Sequence, residues 1–95
     1  METIADEEAR EEAIARTVLG SRPLPDGVHD YRIEFGDDYE GDPAMWIWLD
    51  VDETPHPAGW IDRVLQFTQS SRDELLAKDL KYRPFFRLYH GKRPH

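Results

Sequence analysis

One run of residues limits the fold of this chain more than any other feature. Ala44 to Val51 (AMWIWLDV) is apolar on both faces of any strand that it forms. Successive side chains of a strand point to opposite faces, so the run divides into two sets. The set expected to face the helices is Met45, Ile47, Leu49 and Val51. Trp46 and Trp48 then lie on the second face with Asp50, and this face is more apolar than a solvated sheet face should be.

The segments around this run predict two helices and two further strands. A helix is expected over Thr3 to Leu19, where apolar residues form one stripe, and a strand over Val28 to Phe35, where polar and apolar residues alternate. A second helical pattern runs from Trp60 to Leu80. Ser71 and Glu74 form a capping box within it, which leaves open whether this segment is one helix or two. A last strand is expected over Phe85 to His90.

Each of these elements has an apolar face that we expect to enter the core. In the first helix this face is Ile4, Ala5, Ala9, Ala13, Ile14, Val18 and Leu19. In the first strand it is His29, Tyr31, Ile33 and Phe35. In the second helix it is Ile61, Val64, Leu65, Thr68, Leu75, Leu76 and Leu80. In the last strand it is Phe86 and Leu88.

This pattern predicts a two-layer α+β fold. The order is helix, strand, strand, helix, strand, with a three-stranded mixed or antiparallel sheet and the helices mainly on one face. A chain of 95 residues fits one domain. We expect an N-terminal helix in residues 1–20, a ββαβ core in residues 28–90 and a flexible tail in residues 91–95.

Composition excludes cysteine chemistry and indicates the cellular compartment. The chain has no cysteine, so disulfides and thiolate nucleophiles are excluded. Its first residues are acidic where a signal peptide would be basic, and its longest strongly apolar run is far below the roughly 20 residues that span a bilayer. We therefore expect a cytoplasmic protein with no membrane partner.

The charge is unevenly distributed. A net charge of −8 repels nucleic acids and anionic membranes at long range. Residues 1–60 hold sixteen acidic and four basic residues, whereas residues 81–95 hold five basic residues and no acidic one. The basic residues of this last segment are Lys81, Arg83, Arg87, Lys92 and Arg93. An acidic body with a basic, aromatic end is the simplest interpretation.

The second sheet face is the candidate site for binding. The predicted strands place five residues there, with Arg32 nearby: Trp46, Trp48, Phe85, Arg87 and Tyr89. Exposed apolar patches often mark interaction surfaces, and Trp, Tyr and Arg dominate interface hot spots. The alternative is that the N-terminal helix crosses this face and covers the tryptophans. The candidate partners are another protein or a second copy, which would make the chain a homodimer.

A phosphoesterase is an alternative function. Asp50-Val51-Asp52-Glu53-Thr54 follows an apolar strand and resembles the DxDxT signature of haloacid dehalogenase-type phosphatases. The resemblance implies a nucleophile at Asp50 and an acid/base at Asp52 beside a magnesium ion. That family builds the motif into a much larger doubly wound sheet, so we expect a solvated acidic strand end here, with no catalytic residue.

Metal binding has one weak candidate. Asp37, Asp38, Glu40 and Asp42 could offer carboxylate oxygens to a hard cation such as Ca²⁺. They do not follow the spacing of an EF-hand, and an acidic hairpin turn explains them. The four histidines are too far apart in sequence to form a zinc motif, namely His29, His56, His90 and His95. No cofactor is expected.

RNA binding is a third function to weigh. The segment KYRPFFRLYHGKR combines aromatic rings that could stack on bases with basic side chains that could reach phosphates. The element order is similar to that of the type II KH domain. The GxxG loop of that domain is missing, because the corresponding point reads QSSR, and the net charge also opposes binding. Nucleic acid is therefore not the expected partner.

One further resemblance bears on function. The run GDPAMWIWLDVDE, a proline-containing loop into an amphipathic helix and the closing strand RPFFRLYH resemble a loose group of small uncharacterised bacterial proteins. Some of these are encoded beside helical HEPN-domain proteins in two-gene loci similar to toxin and antitoxin pairs. The resemblance implies an accessory or partner-binding role and carries no catalytic residue. The expected function is non-enzymatic protein interaction through the aromatic sheet face.

Overall fold

A computed structural model describes residues 3–52 and 57–90 of the chain. Two helices and three strands alternate in the predicted order. Their bounds are α1 Ile4–Gly20, β1 Val28–Asp37, β2 Pro43–Val51, α2 Trp60–Leu76 and β3 Arg83–His90. The α+β class and the order helix, strand, strand, helix, strand are confirmed. The predicted tail, residues 91–95, lies outside the described residues, and the division into 1–20 and 28–90 stays a prediction.

The three strands form one mixed sheet in the order β1-β2-β3. β1 and β2 are antiparallel and are joined by a tight turn at Asp38 to Asp42, whereas β2 and β3 are parallel, with α2 as their crossover. A parallel pair needs such a long connection, which is why the helix lies between these two strands in sequence. The sequence had left the sheet as mixed or antiparallel, and the mixed sheet is the one observed.

β2 supplies the centre of the core, as its sequence predicts. Met45, Ile47 and Leu49 are fully buried, and Val51 is nearly so. β1 places Tyr31, Ile33 and Phe35 beside them on the same face, and β3 adds Pro84, Phe86 and Leu88. Both helices pack on this face, which we call the inner face. Most of these inner-face side chains and the buried apolar residues of both helices form one cluster. Leu88, which was predicted to join the core, is 37% exposed because it lies on an edge strand.

The start of β1 departs from the predicted alternation. Its pairing with β2 shifts between Val28 and Asp30, so His29 is an extra residue in the strand. Val28 is buried opposite Val51, while His29 is exposed and its Nδ1 lies 2.6 Å from Asp52 Oδ1. The prediction that His29 shares the core face with Tyr31 is therefore wrong, because an irregular pairing exchanges the faces of a strand.

α1 begins as its sequence predicts but buries a different stripe. Thr3 caps it: its hydroxyl accepts from the Asp6 N–H at 3.1 Å, and the Asp6 carboxylate accepts from the Thr3 N–H at 3.3 Å. The buried residues of the helix are Glu11, Ala15, Val18 and Leu19. The predicted stripe included Ile4, Ala5, Ala9 and Ala13, all of which are exposed. The buried stripe of α1 runs through Glu11 instead of these small residues, and the contacts of Glu11 account for its burial.

Glu11 fastens α1 to the segment that leads into β3. Its side chain is 4% exposed, and its two carboxylate oxygens accept from the backbone N–H groups of Lys81 and Tyr82, each at 3.0 Å. Glu7, one turn earlier, pairs with Lys81 Nζ at 2.8 Å and raises the pKa of this lysine. Charge-assisted hydrogen bonds to backbone donors explain why a charged residue is buried here.

α2 is one continuous helix, which decides between the two readings of its sequence. Ser71 is fully buried within the helix and does not begin a second one. Its hydroxyl accepts from Arg22 Nη1 at 3.0 Å, and Arg22 Nη2 contacts Glu74 at 2.9 Å. The buried residues of α2 are Val64, Phe67, Ser71 and Leu75. The predicted core residues Ile61, Leu65 and Leu76 are exposed instead, so the buried stripe is rotated toward Phe67.

No helix among residues 3–52 and 57–90 is long and apolar enough to cross a membrane.

Candidate interaction surface

The face of the sheet opposite the helices, which we call the outer face, gathers all five residues predicted for the binding site. Strand register places Phe85 beside Trp46, Arg87 beside Trp48, and Tyr89 beside Asp50. Arg32 lies beside Trp48 on the other side. Two adjacent strands therefore bring together residues that are about 40 positions apart in sequence, as the alternation in each strand predicts.

The first half of the outer face is an aromatic stack under an arginine. The rings of Trp46 and Phe85 stack with their centroids 4.9 Å apart and an angle of 25° between their planes. The Arg87 guanidinium lies over the Trp46 ring at 5.2 Å from its centroid, and Arg87 Nη2 donates to the Tyr39 hydroxyl at 3.2 Å. The Tyr39 ring also meets Trp46 edge-on at 6.3 Å. This arrangement suits a cation above an electron-rich ring face.

The second half is built around Trp48 by an arginine from the other edge strand. Arg32 belongs to β1, and its side chain reaches across the sheet so that its guanidinium lies over the ring of Tyr89 on β3, at 5.7 Å from the centroid. Arg32 Nη1 also contacts Glu34 at 3.5 Å. Trp48 Nε1 and Arg32 Nε are buried and have no hydrogen-bond acceptor within the described part of the chain. A buried donor without an acceptor lowers the free energy of unfolding. This half of the surface therefore has two donors that could still donate a hydrogen bond to a partner.

α1 does not cover the tryptophans, which removes the alternative raised by the sequence. Its contacts lie on the inner face, where Arg16 lies over the Tyr31 ring at 5.5 Å and Glu11 holds the segment before β3. Within residues 3–52 and 57–90, the outer face is covered only by its own side chains, chiefly Arg32, Arg87 and Tyr39. Trp46, Trp48, Phe85 and Tyr89 are half-buried as a result.

The outer face is close to neutral although the chain is strongly acidic. The strands place three basic residues on it, Arg32, Arg83 and Arg87. They also place three acidic residues on it, Asp30, Glu34 and Asp50. The net charge of −8 therefore resides elsewhere, largely on α1 and in the turn between β1 and β2. The six charged residues therefore balance one another around an aromatic centre, and aromatic residues and arginine are enriched in interfaces.

The two aspartates of the DVDET segment have different surroundings. Asp50 is 6% exposed on the outer face, beside Tyr89 in register. Asp52 follows the end of β2, where His29 contacts its carboxylate and its N–H donates to the Gly27 carbonyl at 2.8 Å. Glu53, Thr54 and His56 lie outside the described residues. The phosphoesterase stays a prediction that this geometry does not strengthen.

The Asp38 carboxylate holds the acidic turn between β1 and β2 together. Asp38 Oδ1 accepts from the N–H groups of Glu40 at 2.8 Å and Asp42 at 2.9 Å. Gly41 adopts a φ of 86°, a left-handed conformation that glycine accepts readily. Across the described ranges, no group of three or more His, Asp or Glu side chains is arranged to hold a metal ion. Asp38 therefore has a structural role in the turn, and metal binding by Asp37, Asp38, Glu40 and Asp42 stays a prediction.

The residues considered for RNA binding are only partly described. Phe85, Arg87 and Tyr89 belong to the outer face, whereas Lys92 and Arg93 lie outside the described residues. RNA binding stays a prediction.

Sequence reasoning missed Tyr39 as a member of the surface. It is 87% exposed and lies in the turn between β1 and β2, yet its hydroxyl and ring both contact the outer face. An aromatic residue in an otherwise acidic turn was the available signal. Its contacts depend on how the turn folds back on Trp46, which strand periodicity does not report.

In comparisons with protein families, with curated proteins and with solved structures, nothing matches this chain. The resemblance to bacterial proteins encoded beside HEPN-domain proteins therefore stays a prediction.

Proposed function

We propose that this chain is a non-enzymatic protein-interaction module whose outer face binds a second copy of itself. The observation that carries the proposal is an aromatic sheet face with both helices on its other side. Trp46, Trp48, Phe85 and Tyr89 form this face, with the Arg87 guanidinium over the Trp46 ring and the Arg32 guanidinium over the Tyr89 ring. A soluble sheet normally keeps such a face polar or covers it with another layer.

The residue types and their packing support an interface. Trp, Tyr and Arg bury large areas with few rotatable bonds, and they are the residues enriched in interface hot spots. The Arg32 and Arg87 guanidinium groups already lie over the Tyr89 and Trp46 rings, so binding a partner need not order two long, free side chains. The unused donors of Trp48 and Arg32 would gain acceptors if the side chains rearranged on binding.

The balance of charge favours a second copy over a strongly charged partner. A two-fold interface brings the same patch of each copy together, so the patch must be complementary to itself. Three basic and three acidic residues, placed on one face, can satisfy this condition. A highly acidic or highly basic partner would meet like charges. In the proposed dimer, two sheets pack face to face about 10 Å apart and the helices remain outside.

The proposal predicts that the protein sediments as a dimer and that Arg32→Glu converts it to a monomer. This substitution removes the guanidinium from the Tyr89 ring and adds a fourth acidic group to the outer face, beside Glu34 and close to the acidic residues of the second copy. Like charges across an interface cost several kcal/mol, so we expect the dissociation constant to rise at least about 100-fold. Sedimentation velocity over a wide range of concentrations measures this change.

Arg72→Glu is the matched control. It makes the same charge change on the exposed side of α2, away from the outer face, and should leave the dimer unchanged. Circular dichroism of each variant separates loss of association from loss of folding. A wild-type chain that stays monomeric at every concentration would contradict the proposal, as would a dimer that Arg32→Glu and Arg72→Glu weaken equally.

The accessory role and the cytoplasmic location expected from the sequence remain parts of this proposal. Both are compatible with an interaction module. If the chain is monomeric, a pull-down of the tagged chain from its native host would identify a heterologous partner.

A further inference from the structure

A groove runs between α2 and the outer edge of β3, on the side of the molecule away from β1. A cavity of about 470 Å³ forms its main part, lined by the apolar residues Leu65 and Phe86 and by the polar residues Thr68, Gln69, Arg72 and Asp73. A second cavity of about 220 Å³ continues it past Arg72 to Leu76 and Pro84. We call this surface the edge groove and define it by Leu65, Thr68, Arg72, Leu76, Pro84 and Phe86.

The edge groove exposes apolar side chains that the helix periodicity predicts to be buried. Leu65 is 58% exposed, Leu76 is 48% exposed, and Leu88 beside the groove is 37% exposed. Leu65, Arg72 and Leu76 lie on one stripe of α2, at spacings of seven and four residues. The stripe from Leu65 to Leu76 is about 16 Å long, which matches about five residues of an extended strand.

β3 itself offers hydrogen bonds along this groove. It is at the end of the sheet order and pairs with β2 alone among the described strands. Half of its backbone N–H and C=O groups therefore point away from the sheet, since successive residues of a strand direct these groups to opposite sides. Pro84 removes one donor near the start of the strand, which leaves the part from Phe85 onward for pairing.

The two sides of β3 differ in a way that specifies the occupant. An added strand places alternate side chains on the inner and outer faces, next to the β3 residues of the same face. On the inner face its neighbours are Pro84, Phe86 and Leu88, with Leu65 beyond them. On the outer face its neighbours include Arg83 and Arg87, and β3 contains no acidic residue. An added strand with apolar side chains on the inner face and carboxylates on the outer face would therefore complement β3.

We infer that the edge groove and the free edge of β3 bind an extended segment of another protein in which acidic and apolar residues alternate. Backbone hydrogen bonds to β3 provide the register, the edge groove takes the apolar side chains, and Arg83 and Arg87 pair with the acidic ones. The site overlaps the outer face at Arg83 and Arg87, but its backbone hydrogen bonds come from the edge of β3 and its apolar contacts from the edge groove, neither of which the proposed dimer uses.

A fluorescein-labelled ten-residue peptide in which Glu alternates with Val is the probe, and fluorescence anisotropy with the full-length chain is the measurement. We expect this peptide to bind at least about tenfold more tightly than one in which Lys replaces every Glu. Leu65→Asp and Arg83→Glu should each weaken binding about tenfold or more. Arg16→Glu, on α1 beside Tyr31 of β1 and at the opposite edge of the sheet from β3, should leave the peptide affinity unchanged.

Backbone pairing has its own test. Two further peptides carry N-methyl groups on either the Glu or the Val amides, so that one edge of the peptide strand is blocked in each. One of them should bind like the parent and the other should not bind. Equal binding of the two methylated peptides, equal binding of the Glu and Lys peptides, or no binding at all would overturn the inference. Wild-type chains that assemble beyond the dimer through β3 would also overturn it, because a second copy would then be the occupant.

Discussion

Replacing Glu11 by alanine should lower the free energy of unfolding by about 3 kcal/mol, one of the largest effects of any polar substitution in this chain. The carboxylate accepts from two backbone N–H groups, of Lys81 and Tyr82, in a buried setting. Hydrogen bonds to charged groups contribute about 1.5 to 3 kcal/mol each, and the two donors would lose their acceptor together. Urea denaturation followed by circular dichroism gives the change directly.

Two matched variants separate this contact from general effects of the helix. Glu12→Ala removes a neighbouring charge that pairs with Arg16 on the exposed side of α1, and it should cost no more than about 0.5 kcal/mol. Glu11→Gln keeps one acceptor and the shape of the side chain, so its cost should lie between the other two. Equal stability of the Glu11→Ala and Glu12→Ala variants would show that Glu11 does not anchor α1.

Ile47→Ala should destabilise the fold by about 2 to 5 kcal/mol. Ile47 is fully buried on the inner face of the central strand, between Ile33 on β1 and Phe86 on β3. Truncation removes the burial of three carbon atoms and leaves a cavity in a layer that rigid neighbours can only partly fill. The same denaturation experiment measures the loss.

Ile61→Ala is the control for this prediction. Ile61 is in the first turn of α2, where the sequence pattern predicts burial and the structure shows exposure. Its truncation should change the free energy of unfolding by about 1 kcal/mol or less, since an exposed side chain loses little on removal. A larger loss for Ile61→Ala than for Ile47→Ala would contradict the observed burial of the two residues.

The sheet could be predicted well from the sequence because strand alternation is a local property. The division of β2 into Met45, Ile47 and Leu49 on one side and Trp46 and Trp48 on the other follows from the period of two, and the structure has it. The outer face was predictable for the same reason. The parallel placement of β3 was left open, because no feature of its sequence distinguishes the two directions.

The bounds of α1 were predicted to within one residue, but α2 ends at Leu76 where the predicted pattern runs to Leu80, and the buried faces of both helices were partly wrong. In α2, Leu65 and Leu76 fit the apolar pattern as well as Phe67 does, and only packing against the sheet selects between them. In α1, Glu11 is buried because two backbone donors 70 and 71 residues later need an acceptor. Such a partner is set by tertiary structure, so hydropathy could not indicate it. The same limit applies to Tyr39 and to the Arg22 contact with Ser71.

The most direct test of outer-face self-association is a distance measurement between the two copies. Since the chain has no native cysteine, a single introduced cysteine carries the only spin label. In a face-to-face dimer, labels at Glu34→Cys on the outer face should lie about 10 to 20 Å apart, because the sheets pack about 10 Å from each other. Labels at Ala13→Cys on α1 should be at least about 30 Å apart, since two helix layers of about 10 Å each are added. Double electron–electron resonance should therefore give a shorter distance for Glu34→Cys than for Ala13→Cys. A shorter distance for Ala13→Cys than for Glu34→Cys would contradict the account.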